Sequence, residues 1–552
     1  MCGTACAMIN IKWENHVNKI AHYLNTHMLG EVIVNKSVRE AFATDGGVLS
    51  YVPDMVAYPR ATSDIRKIAR FSWQLAEKGH TLPLTVRGAG SDTTGGAVGT
   101  GMIVATTPHL NRIFEYDSGQ KLVRLQPGVT VNALHNALSL HGTAIPELRW
   151  DHQQASIGGA IASQRNAVEY VDQLEVVLAN GDVLQTKRIS KRELEKKKGQ
   201  QNLEGEIYRG VDGLIEDNSD LLDEMVTNDD RLDHEGYVGL EMVKQKNGSF
   251  DLTPLFVGSQ GSLGIISEMI LRADFVNQNP SMIVAAFGDR GAARDALDII
   301  DDIDPSAVEY VDAKYFEAAA LAGKTFQFYD EAKEKFGSVA AVVIVTINDF
   351  NERARVRKMK KLVSRLKPVE ALVVGDSDYL NSDLRALSSV TYWLLNPEKD
   401  DFSSPPILDG MFVPMDRFDV FADALDALAK HHHVTLALYG RPLDELWYVR
   451  PLLRMGAVAD KQKLFKLTAE IAALVRKHDG APFGASGDGR LGAGLRLESD
   501  KHQELFKKLK DIFDPNGTLN PGVKHGTTVH ELAKQLRGDY DGAAATGYLA
   551  KF

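Results

Sequence analysis

The stretch Leu82-Pro-Leu-Thr-Val-Arg-Gly-Ala-Gly-Ser91 joins an apolar run to a loop that contains two glycines. The apolar run predicts a β-strand, and Met102–Ala105 predicts the next strand along the chain. Glycines allow positive φ angles and a close approach to a ligand, and successive N–H groups of such a loop can bind an anion. Because the loop lies between two strands, it does not match a Rossmann motif, which leads from a strand into a helix. Taken alone, the loop is equally compatible with a tight turn.

A second glycine cluster, Ser156-Ile-Gly-Gly-Ala160, follows about seventy residues later. Between the two clusters, Leu122–Gln126 predicts a strand, and Val131, Leu134 and Leu138 form the apolar stripe of a helix. Two glycine loops joined by strand and helix units could hold one extended cofactor from two sides. The pair is therefore stronger evidence for a cofactor site than either loop alone.

The character of the chain changes from about Asn277 onward. Apolar runs such as Ala341–Ile347 alternate there with amphipathic segments such as Arg353–Leu366. This alternation predicts a second, α+β domain, in which helices cover a sheet.

Eight short motifs follow one another along the chain. They are Phe42-Ala-Thr-Asp45, Tyr58-Pro-Arg-Ala-Thr62, Arg87–Ser91, Leu125-Gln-Pro-Gly-Val129, Ile157-Gly-Gly-Ala160, Leu174–Gly181, Val257-Gly-Ser-Gln-Gly-Ser-Leu-Gly-Ile265 and Phe513-Asp-Pro-Asn-Gly-Thr-Leu-Asn-Pro-Gly522. In kind and in order, these motifs resemble those of the FAD-linked oxidases of the vanillyl-alcohol oxidase superfamily, whose FAD domain is named after p-cresol methylhydroxylase. The chain is most similar to the D-2-hydroxy acid dehydrogenases, which include the glycolate oxidase flavin subunit, D-lactate dehydrogenase and D-2-hydroxyglutarate dehydrogenase.

The resemblance implies an α+β fold with four parts. Residues 1–50 would be an N-terminal segment, 51–275 a two-lobed PCMH-type FAD-binding domain, 276–500 an α+β cap domain that binds substrate, and 501–552 a C-terminal segment that returns to the flavin. FAD would be bound non-covalently, because histidine, a frequent attachment residue in this superfamily, is absent from Arg87–Gly96.

The resemblance also implies which residues contact FAD. The first loop would surround the pyrophosphate, the second would form the opposite wall, and a third loop would pass near the adenine and ribose. Asn520 would return to the flavin ring, although a plain turn would also explain an Asn-Pro-Gly sequence. The implied cofactor residues are Arg87, Gly88, Ala89, Gly90, Ser91, Asp92, Thr93, Ser156, Ile157, Gly158, Gly159, Ala160, Gly258, Gly261, Gly264, Ile265 and Asn520.

The substrate half departs from the family. Some hydroxy acid dehydrogenases bind a divalent metal through histidines and a carboxylate, and a histidine is their proposed base. Here Arg441 and Trp447 stand at the places of two histidines, and Ala485 and Ser486 stand at a Glu-His pair. These side chains do not form a metal ligand set. We therefore expect neither a metal nor a histidine base.

Two arginines and two aspartates remain as candidates for the chemistry. Arg441 and Arg450 could clamp a substrate carboxylate or phosphate, and Asp444 and Asp488 could accept a proton. The alternative interpretation of each residue is an ordinary charge on a loop or on the surface.

These features predict an FAD-dependent oxidoreductase that removes hydride from a hydroxyl-bearing carbon of a D-2-hydroxy acid or polyol. The chain has no nicotinamide site and no iron–sulfur cysteine motif. Electrons would therefore pass to a quinone, to oxygen, to a carrier protein or to a separate subunit. The alternative is a non-catalytic flavoprotein subunit or scaffold with a decayed substrate site. Either protein could form a homo-oligomer.

The bulk composition argues against other classes. The net charge of −11 disfavours nucleic acid as a partner. Cys2 and Cys6 are too few for a disulfide framework and fit a reducing compartment. No targeting segment is evident, and the most apolar run, Val339–Ile347, is about half the length that crosses a bilayer. We therefore expect a cytoplasmic protein with at most peripheral membrane contact.

Overall fold

The computed structural model describes residues 16–145, 154–227, 236–237, 239–277, 280–321, 323–375, 402–483, 487–496, 502–538 and 540. The strands are β1 (Glu31–Ile33), β2 (Met55–Tyr58), β3 (Leu84–Arg87), β4 (Met102–Ala105), β5 (Ile113–Asp117), β6 (Leu122–Leu125), β7 (Thr143–Ala144), β8 (Val171–Val177), β9 (Val183–Gln185), β10 (Ile265–Arg272), β11 (Asp274–Phe275), β12 (Ser281–Phe287), β13 (Ala307–Asp312), β14 (Ala341–Ile347), β15 (Ala371–Gly375), β16 (Leu408–Phe412), β17 (Leu436–Arg441) and β18 (Leu446–Pro451). The helices are α1 (16–27), α2 (Lys36–Ala41), α3 (Thr62–Glu77), α4 (Val131–Ser139), α5 (Ile157–Ser163), α6 (Lys191–Lys198), α7 (Leu203–Asp217), α8 (Ser219–Thr227), α9 (Leu240–Val243), α10 (Thr253–Phe256), α11 (Arg290–Asp301), α12 (Ala313–Leu321), α13 (Gln327–Phe336), α14 (Glu352–Leu366), α15 (Phe418–His432), α16 (Val458–Lys477), α17 (Gly489–Leu495), α18 (Gln503–Phe513) and α19 (Val529–Lys534). Within these ranges, no helix is both long and apolar enough to cross a membrane.

The first sheet has the strand order β1-β2-β4-β3. Strands β2, β4 and β3 are parallel, and β1 pairs with β2 in the antiparallel direction at the edge. Every residue of β4 is buried, as expected for a central strand that is covered on both faces. Helix α3 packs on this sheet through Ile65, Ile68 and Ala69. The arrangement leaves the loop after β3 at the carboxyl edge of the parallel strands.

The second sheet is antiparallel and has the order β5-β6-β10-β8-β9. The hairpin between β8 and β9 turns at Asn180-Gly181, where Gly181 has a φ of +83°. Leu125, Leu174 and Met269 lie in a core shared with helices α4, α5, α7 and α18. This core fixes α5, and with it the second glycine loop.

The third sheet is antiparallel and follows the order β15-β12-β14-β13-β17-β18-β16. Helices α11, α14, α15 and α16 contribute to the core on one face, and α12 and α13 contribute to the core on the other. Trp447 is fully buried in the first of these cores and stacks on Phe418, with ring centroids 4.0 Å apart. This sheet is the α+β cap that the sequence predicts.

The chain returns to the first sheet near its C-terminus. Leu519 forms a bridge with Leu84 of β3. Lys510 is 3% exposed, and its ammonium group donates to Asp514 Oδ2 and to the carbonyls of Ser262 and Leu519, at 2.6 to 2.8 Å. Three acceptors satisfy its three N–H groups, so the buried charge is fully paired. The predicted α+β fold, with a C-terminal segment packed on the first domain, is confirmed.

Candidate functional site

A cleft of about 1110 Å³ lies where three glycine-rich loops meet. The first loop (Arg87–Asp92) follows β3, the second (Ser156–Ala160) begins α5, and the third (Val257–Ile265) leads into β10. The cleft is lined by Val86, Gly88, Ala89, Gly90, Ser91, Asp92, Gly96, Ala97, Thr106, Pro127, Val131, Ala155, Ser156, Gly158, Gly159, Ala160, Ala162, Ser163, Gln164, Ser259, Gln260, Gly261, Gly264 and Ile266.

The first two loops touch each other, and this contact requires glycine. A Cβ atom on Gly88 would overlap the Oγ of Ser156, and a Cβ on Gly158 would lie 2.5 Å from the Cβ of Pro127. Ser156 Oγ is held in place because it accepts a hydrogen bond from the N–H of Gly159 at 3.2 Å. The two loops therefore form a close-packed cradle, and a larger residue at either position would displace its neighbours.

Arg87 braces the first loop from behind. Its guanidinium donates to the carbonyl of Thr44 at 2.8 Å. It also lies beneath Gly90, which has a φ of +78° and where a Cβ would overlap the guanidinium. A side chain at position 90 is therefore disfavoured both by strain and by space. Arg87 shapes the loop and does not line the cleft.

Gln260 connects the third loop to Thr94, which follows the first loop, and to Gly489 of α17. The sequence motifs do not single it out. Its Nε2 donates to Thr94 Oγ1 at 3.0 Å, and its Oε1 accepts from the N–H of Gly489 at 2.8 Å. Its backbone has a positive φ of +51°, and 7% of the residue is exposed. The signal that could have found it is its place between two glycines of a quoted motif, Gly258-Ser-Gln-Gly261.

Asp92 organises the turn that follows the first loop. Its Oδ2 accepts from the N–H groups of Gly96 at 2.6 Å and Thr94 at 3.1 Å. Asp92 also lines the cleft, but its carboxylate is already hydrogen-bonded to these backbone N–H groups. The anionic part of a ligand would therefore meet the N–H groups of the first loop and not an unsatisfied carboxylate.

Arg490 of α17 and Asn520 of the C-terminal segment hold the loops together. Arg490 is 4% exposed and donates to the carbonyls of Gly95 and Pro521, at 2.5 and 2.9 Å, and to Asn520 Oδ1 at 3.0 Å. Burial lowers the pKa of Arg490, while Tyr51 and nearby carboxylates oppose this shift. Since arginine keeps its proton even so, it is a permanent positive charge behind the first loop.

Most of the predicted cofactor residues line the cleft, and the others support it. Those in the lining are Gly88, Ala89, Gly90, Ser91, Asp92, Ser156, Gly158, Gly159, Ala160, Gly261 and Gly264. Those outside the lining are Arg87, Thr93, Ile157, Gly258, Ile265 and Asn520. Ile157 and Ile265 are fully buried in the cores beneath the loops, which explains their apolar character.

Asp488 lies deep in the protein beside the C-terminal segment. It is 0% exposed, contacts the guanidinium of Arg496, and its Oδ1 lies 3.0 Å from Lys524 Nζ. Burial lowers the pKa of Lys524, and the neighbouring Asp488 carboxylate opposes this shift. Two cations thus surround Asp488, an environment that suits a fixed anion.

The other three candidates lie on the cap sheet. Alternate residues of β17 and β18 share a face, and the pairs Ala437–Arg450 and Arg441–Leu446 place Arg441 and Arg450 on the same face. Asp444 lies in the turn between the strands, with its Oδ2 2.7 Å from Arg441 Nη2. The structure thus brings these three residues to one side of the hairpin.

Arg441 and Trp447, which stand at the places of two family histidines, do not share a face of the cap sheet. Trp447 pairs with Gly440, one residue out of phase with Arg441, so the two side chains point to opposite faces of the sheet. Tyr448, which is 5% exposed, shares the face of Arg441. Among the described residues, no group of three or more His, Cys, Asp or Glu side chains could hold a metal. Ala485 and Ser486 lie outside the described residues.

The cleft fits FAD by its shape and its donors. The cradle at Gly88 and Gly158 keeps its shape only because neither residue carries a Cβ atom that would clash with Ser156 or Pro127. The N–H groups of the first loop and the hydroxyl of Ser91 are donors suited to a pyrophosphate. The remaining lining is mostly small and apolar, as in other extended cofactor sites. The first and second loops would hold the pyrophosphate.

Comparison with known families supports this assignment. Residues 53–187 match the FAD binding domain family, and residues 277–523 match the C-terminal domain of FAD linked oxidases. The FAD-domain match contains the first two loops, and the C-terminal match contains the cap sheet, Arg490 and Asn520. Together the matches account for the cofactor that the cleft fits, FAD.

Among curated proteins, the chain is similar to D-2-hydroxyglutarate dehydrogenase from Pantoea ananatis, with 25% identity over 93% of this chain and 52% of the relative. It is also similar to the glycolate oxidase subunit GlcD of Bacillus subtilis, with 24% identity over 85% of this chain and 88% of the relative. The chain spans about half the length of the D-2-hydroxyglutarate dehydrogenases that it matches.

Among solved structures, p-cresol methylhydroxylase with bound substrate has the same fold. The TM-score is 0.66 at 13% sequence identity, and the alignment covers 93% of this chain and 97% of that enzyme. With its glycine cleft and its two family matches, the chain belongs to the FAD linked oxidases.

Proposed function

We propose that this protein is an FAD-dependent oxidoreductase that oxidises the hydroxyl-bearing carbon of a D-2-hydroxy acid. The observation that carries the proposal is the combination of an FAD cleft with a cap sheet that presents Arg441 and Arg450 on one face. The two curated relatives named above, D-2-hydroxyglutarate dehydrogenase and a glycolate oxidase subunit, are named for hydroxy acids, which fits a face that carries two arginines. A polyol is the alternative substrate class, and it would make little use of two cations.

Arg450 would bind the substrate carboxylate. Its Nη1 atom is buried and has no hydrogen-bond partner among the described residues. A buried, unsatisfied N–H of a guanidinium is unfavourable, and a carboxylate would satisfy it with a charge-assisted bond. Tyr448 lies on the same face and is nearly buried.

Arg441 and Asp444 would act as a pair near the reacting hydroxyl group. Asp444 is 38% exposed at its side chain and has one carboxylate oxygen 2.7 Å from Arg441. It would accept the hydroxyl proton, while Arg441 orients the substrate and balances the charge. FAD, when bound, accepts the hydride. Asp488, buried between two cations, fits a role in holding the C-terminal segment better than proton transfer.

We further infer that the electrons pass to a quinone, to oxygen or to a carrier protein. The sparse cysteines favour the cytoplasm as the location. Peripheral membrane contact and a homo-oligomer are compatible extensions of this inference.

Anaerobic reduction of the bound flavin tests the proposal. Mixing the holoprotein with a panel of 2-hydroxy acids, both enantiomers of each, and with matched polyols should bleach the flavin absorbance for D-2-hydroxy acids. Bleaching by polyols alone would contradict the substrate class. No bleaching by any member would support the second candidate, a non-catalytic flavoprotein, which the missing metal ligands at Arg441 favour.

A further inference from the structure

Asp45 is a buried carboxyl group behind the first glycine loop, and 2% of the residue is exposed. Its Oδ1 accepts a hydrogen bond from the N–H of Gly47 at 2.9 Å. Its Oδ2 is buried and has no hydrogen-bond partner in the described part of the chain. A buried carboxylate with an unpaired oxygen is unfavourable, and binding a proton reduces that cost.

The turn that carries Asp45 is bonded directly to the first loop. The N–H of Gly46 donates to the carbonyl of Gly90 at 2.9 Å, and Arg87 donates to the carbonyl of Thr44 at 2.8 Å. These hydrogen bonds join the turn and the loop, so the two should move together. A change in the charge of Asp45 acts directly on the loop that would hold the diphosphate.

Charged and titratable groups face Asp45 from each element packed against its turn. They are Asp92 and Arg87 from the first loop, Arg490 from α17, and Arg537 and Tyr540, which bond to the backbone carbonyls of the turn. Burial raises the pKa of Asp45 to about 7, and the Asp92 carboxylate adds to this rise. The Gly47 N–H group, Arg87 and Arg490 act in the opposite direction. The carboxyl group is therefore close to half-protonated near neutral pH.

We propose that Asp45 is a positioning residue of the FAD site, and that its protonated form holds the first loop ready for the diphosphate, so that FAD binding is accompanied by proton uptake. A diphosphate brings two negative charges to a loop already backed by two carboxyl groups. It therefore favours the neutral form of Asp45. The proposal rests on the assignment of the cleft to FAD, and it requires no particular substrate.

The sign of the pH dependence follows from linkage. A group whose pKa rises when a ligand binds gives its full contribution to affinity below the pKa of the free protein. That contribution is lost as the pH rises above it. FAD affinity should therefore be constant below about pH 7 and should weaken above it, by at most about tenfold per pH unit for one proton.

The test is the Kd of the apoprotein for FAD from about pH 6 to about pH 9. Three proteins are compared: wild type, Asp45→Asn and Glu40→Gln. Asparagine keeps the shape of a protonated carboxyl group but cannot ionise. Glu40→Gln removes the same charge from an exposed position on the neighbouring helix α2.

We expect the Kd of Asp45→Asn to be independent of pH and, near the upper end of the range, about tenfold or more tighter than that of wild type. Glu40→Gln should follow wild type. Calorimetry in buffers with different ionisation enthalpies should show wild type taking up close to one proton per FAD on the alkaline side.

A wild-type Kd that does not change with pH, together with zero proton uptake, would overturn the proposal. An Asp45→Asn protein that keeps the wild-type slope would do the same. If that variant does not fold, the proton uptake of wild type decides alone. An apoprotein that binds no FAD at any pH would instead contradict the cofactor assignment, so the two failures are distinguishable.

Discussion

The side-chain amide of Asn520 donates a hydrogen bond to the backbone carbonyl of Gln260 at 2.7 Å and another to that of Gly96 at 2.8 Å. Its Oδ1 accepts from Thr85 Oγ1 at 3.1 Å and from Arg490 Nη2 at 3.0 Å. The residue is 0% exposed, so the whole amide is used inside the protein. The C-terminal segment thus completes the FAD site by fixing its loops from behind.

Replacing Asn520 by alanine should therefore reduce both stability and FAD affinity. The change leaves several buried polar groups without a partner, at a cost of about 2 to 4 kcal/mol in the free energy of unfolding. Denaturant unfolding of the apoprotein and FAD titration measure the two effects. Asn111→Ala, at an exposed residue whose side chain bonds to the Thr107 carbonyl, is the control. If the free energy of unfolding of Asn520→Ala lies within about 0.5 kcal/mol of the wild-type value, Asn520 does not hold the loops in place.

Even the smallest side chain at Gly88 should prevent FAD loading. The Cβ of Gly88→Ala would overlap Ser156 Oγ in the cradle, and Gly88→Val would intrude further. The ratio of flavin absorbance to protein in purified samples measures this. Gly213→Ala is the matched control, because a Cβ there meets nothing within 4 Å. It lies in helix α7 and should raise stability by roughly 0.5 to 1 kcal/mol without changing the flavin content. Full flavin occupancy in both Gly88 variants would show that the cradle does not hold the cofactor.

Substrate binding should depend on the planar guanidinium group of Arg441 and not only on its positive charge. Arg441→Ala should lower kcat/KM by a factor equivalent to about 2 to 4 kcal/mol, if the contact is desolvated. Arg441→Lys should recover only part of this loss, because an ammonium group cannot copy the planar guanidinium that contacts Asp444 and would orient the substrate. Steady-state kinetics on the substrate found by flavin bleaching provide the measurement. Arg417→Ala, a change at an exposed arginine of the same domain, should behave as wild type. An unchanged KM and kcat in Arg441→Ala would remove this residue from the site.

Activity should survive prolonged chelation. The arginines on the cap face supply positive charge where a metal would otherwise act, and the described residues offer no group of three ligands. Elemental analysis and kinetics with and without chelator check this expectation. A stoichiometric metal whose removal abolishes activity would contradict it, and would mean that a metal and not Arg441 polarises the substrate.

The parts of the fold that depend on local sequence could be predicted well. Met102–Ala105 is a strand with the expected boundaries, because Gly101 and Thr106 mark the two ends of its apolar run. The first two glycine loops are recognisable in the sequence because glycine is required where two backbones approach. The roles of Asp45 and Gln260 are not, since their partners lie far away in the chain and come together only after folding.

The face of a strand is a second limit on what sequence can predict. A shift of one residue moves a side chain to the other side of a sheet, and only the pairing of β17 with β18 fixes that phase. Motif comparison places Arg441 and Trp447 at two family histidines, whereas the register puts their side chains on opposite faces and puts Tyr448 on the face of Arg441. The cofactor residues do not depend on strand register in this way, because they lie on loops whose glycines identify them.

The most direct test of the account is the flavin content of the purified protein. The protein should be yellow, and acid or heat should release one FAD per chain into the supernatant, because no histidine lies in Arg87–Gly96 to attach it. Flavin that stays with the denatured polypeptide would contradict non-covalent binding. A colourless protein that takes up no added FAD would contradict the assignment of the glycine cleft and, with it, the proposed function.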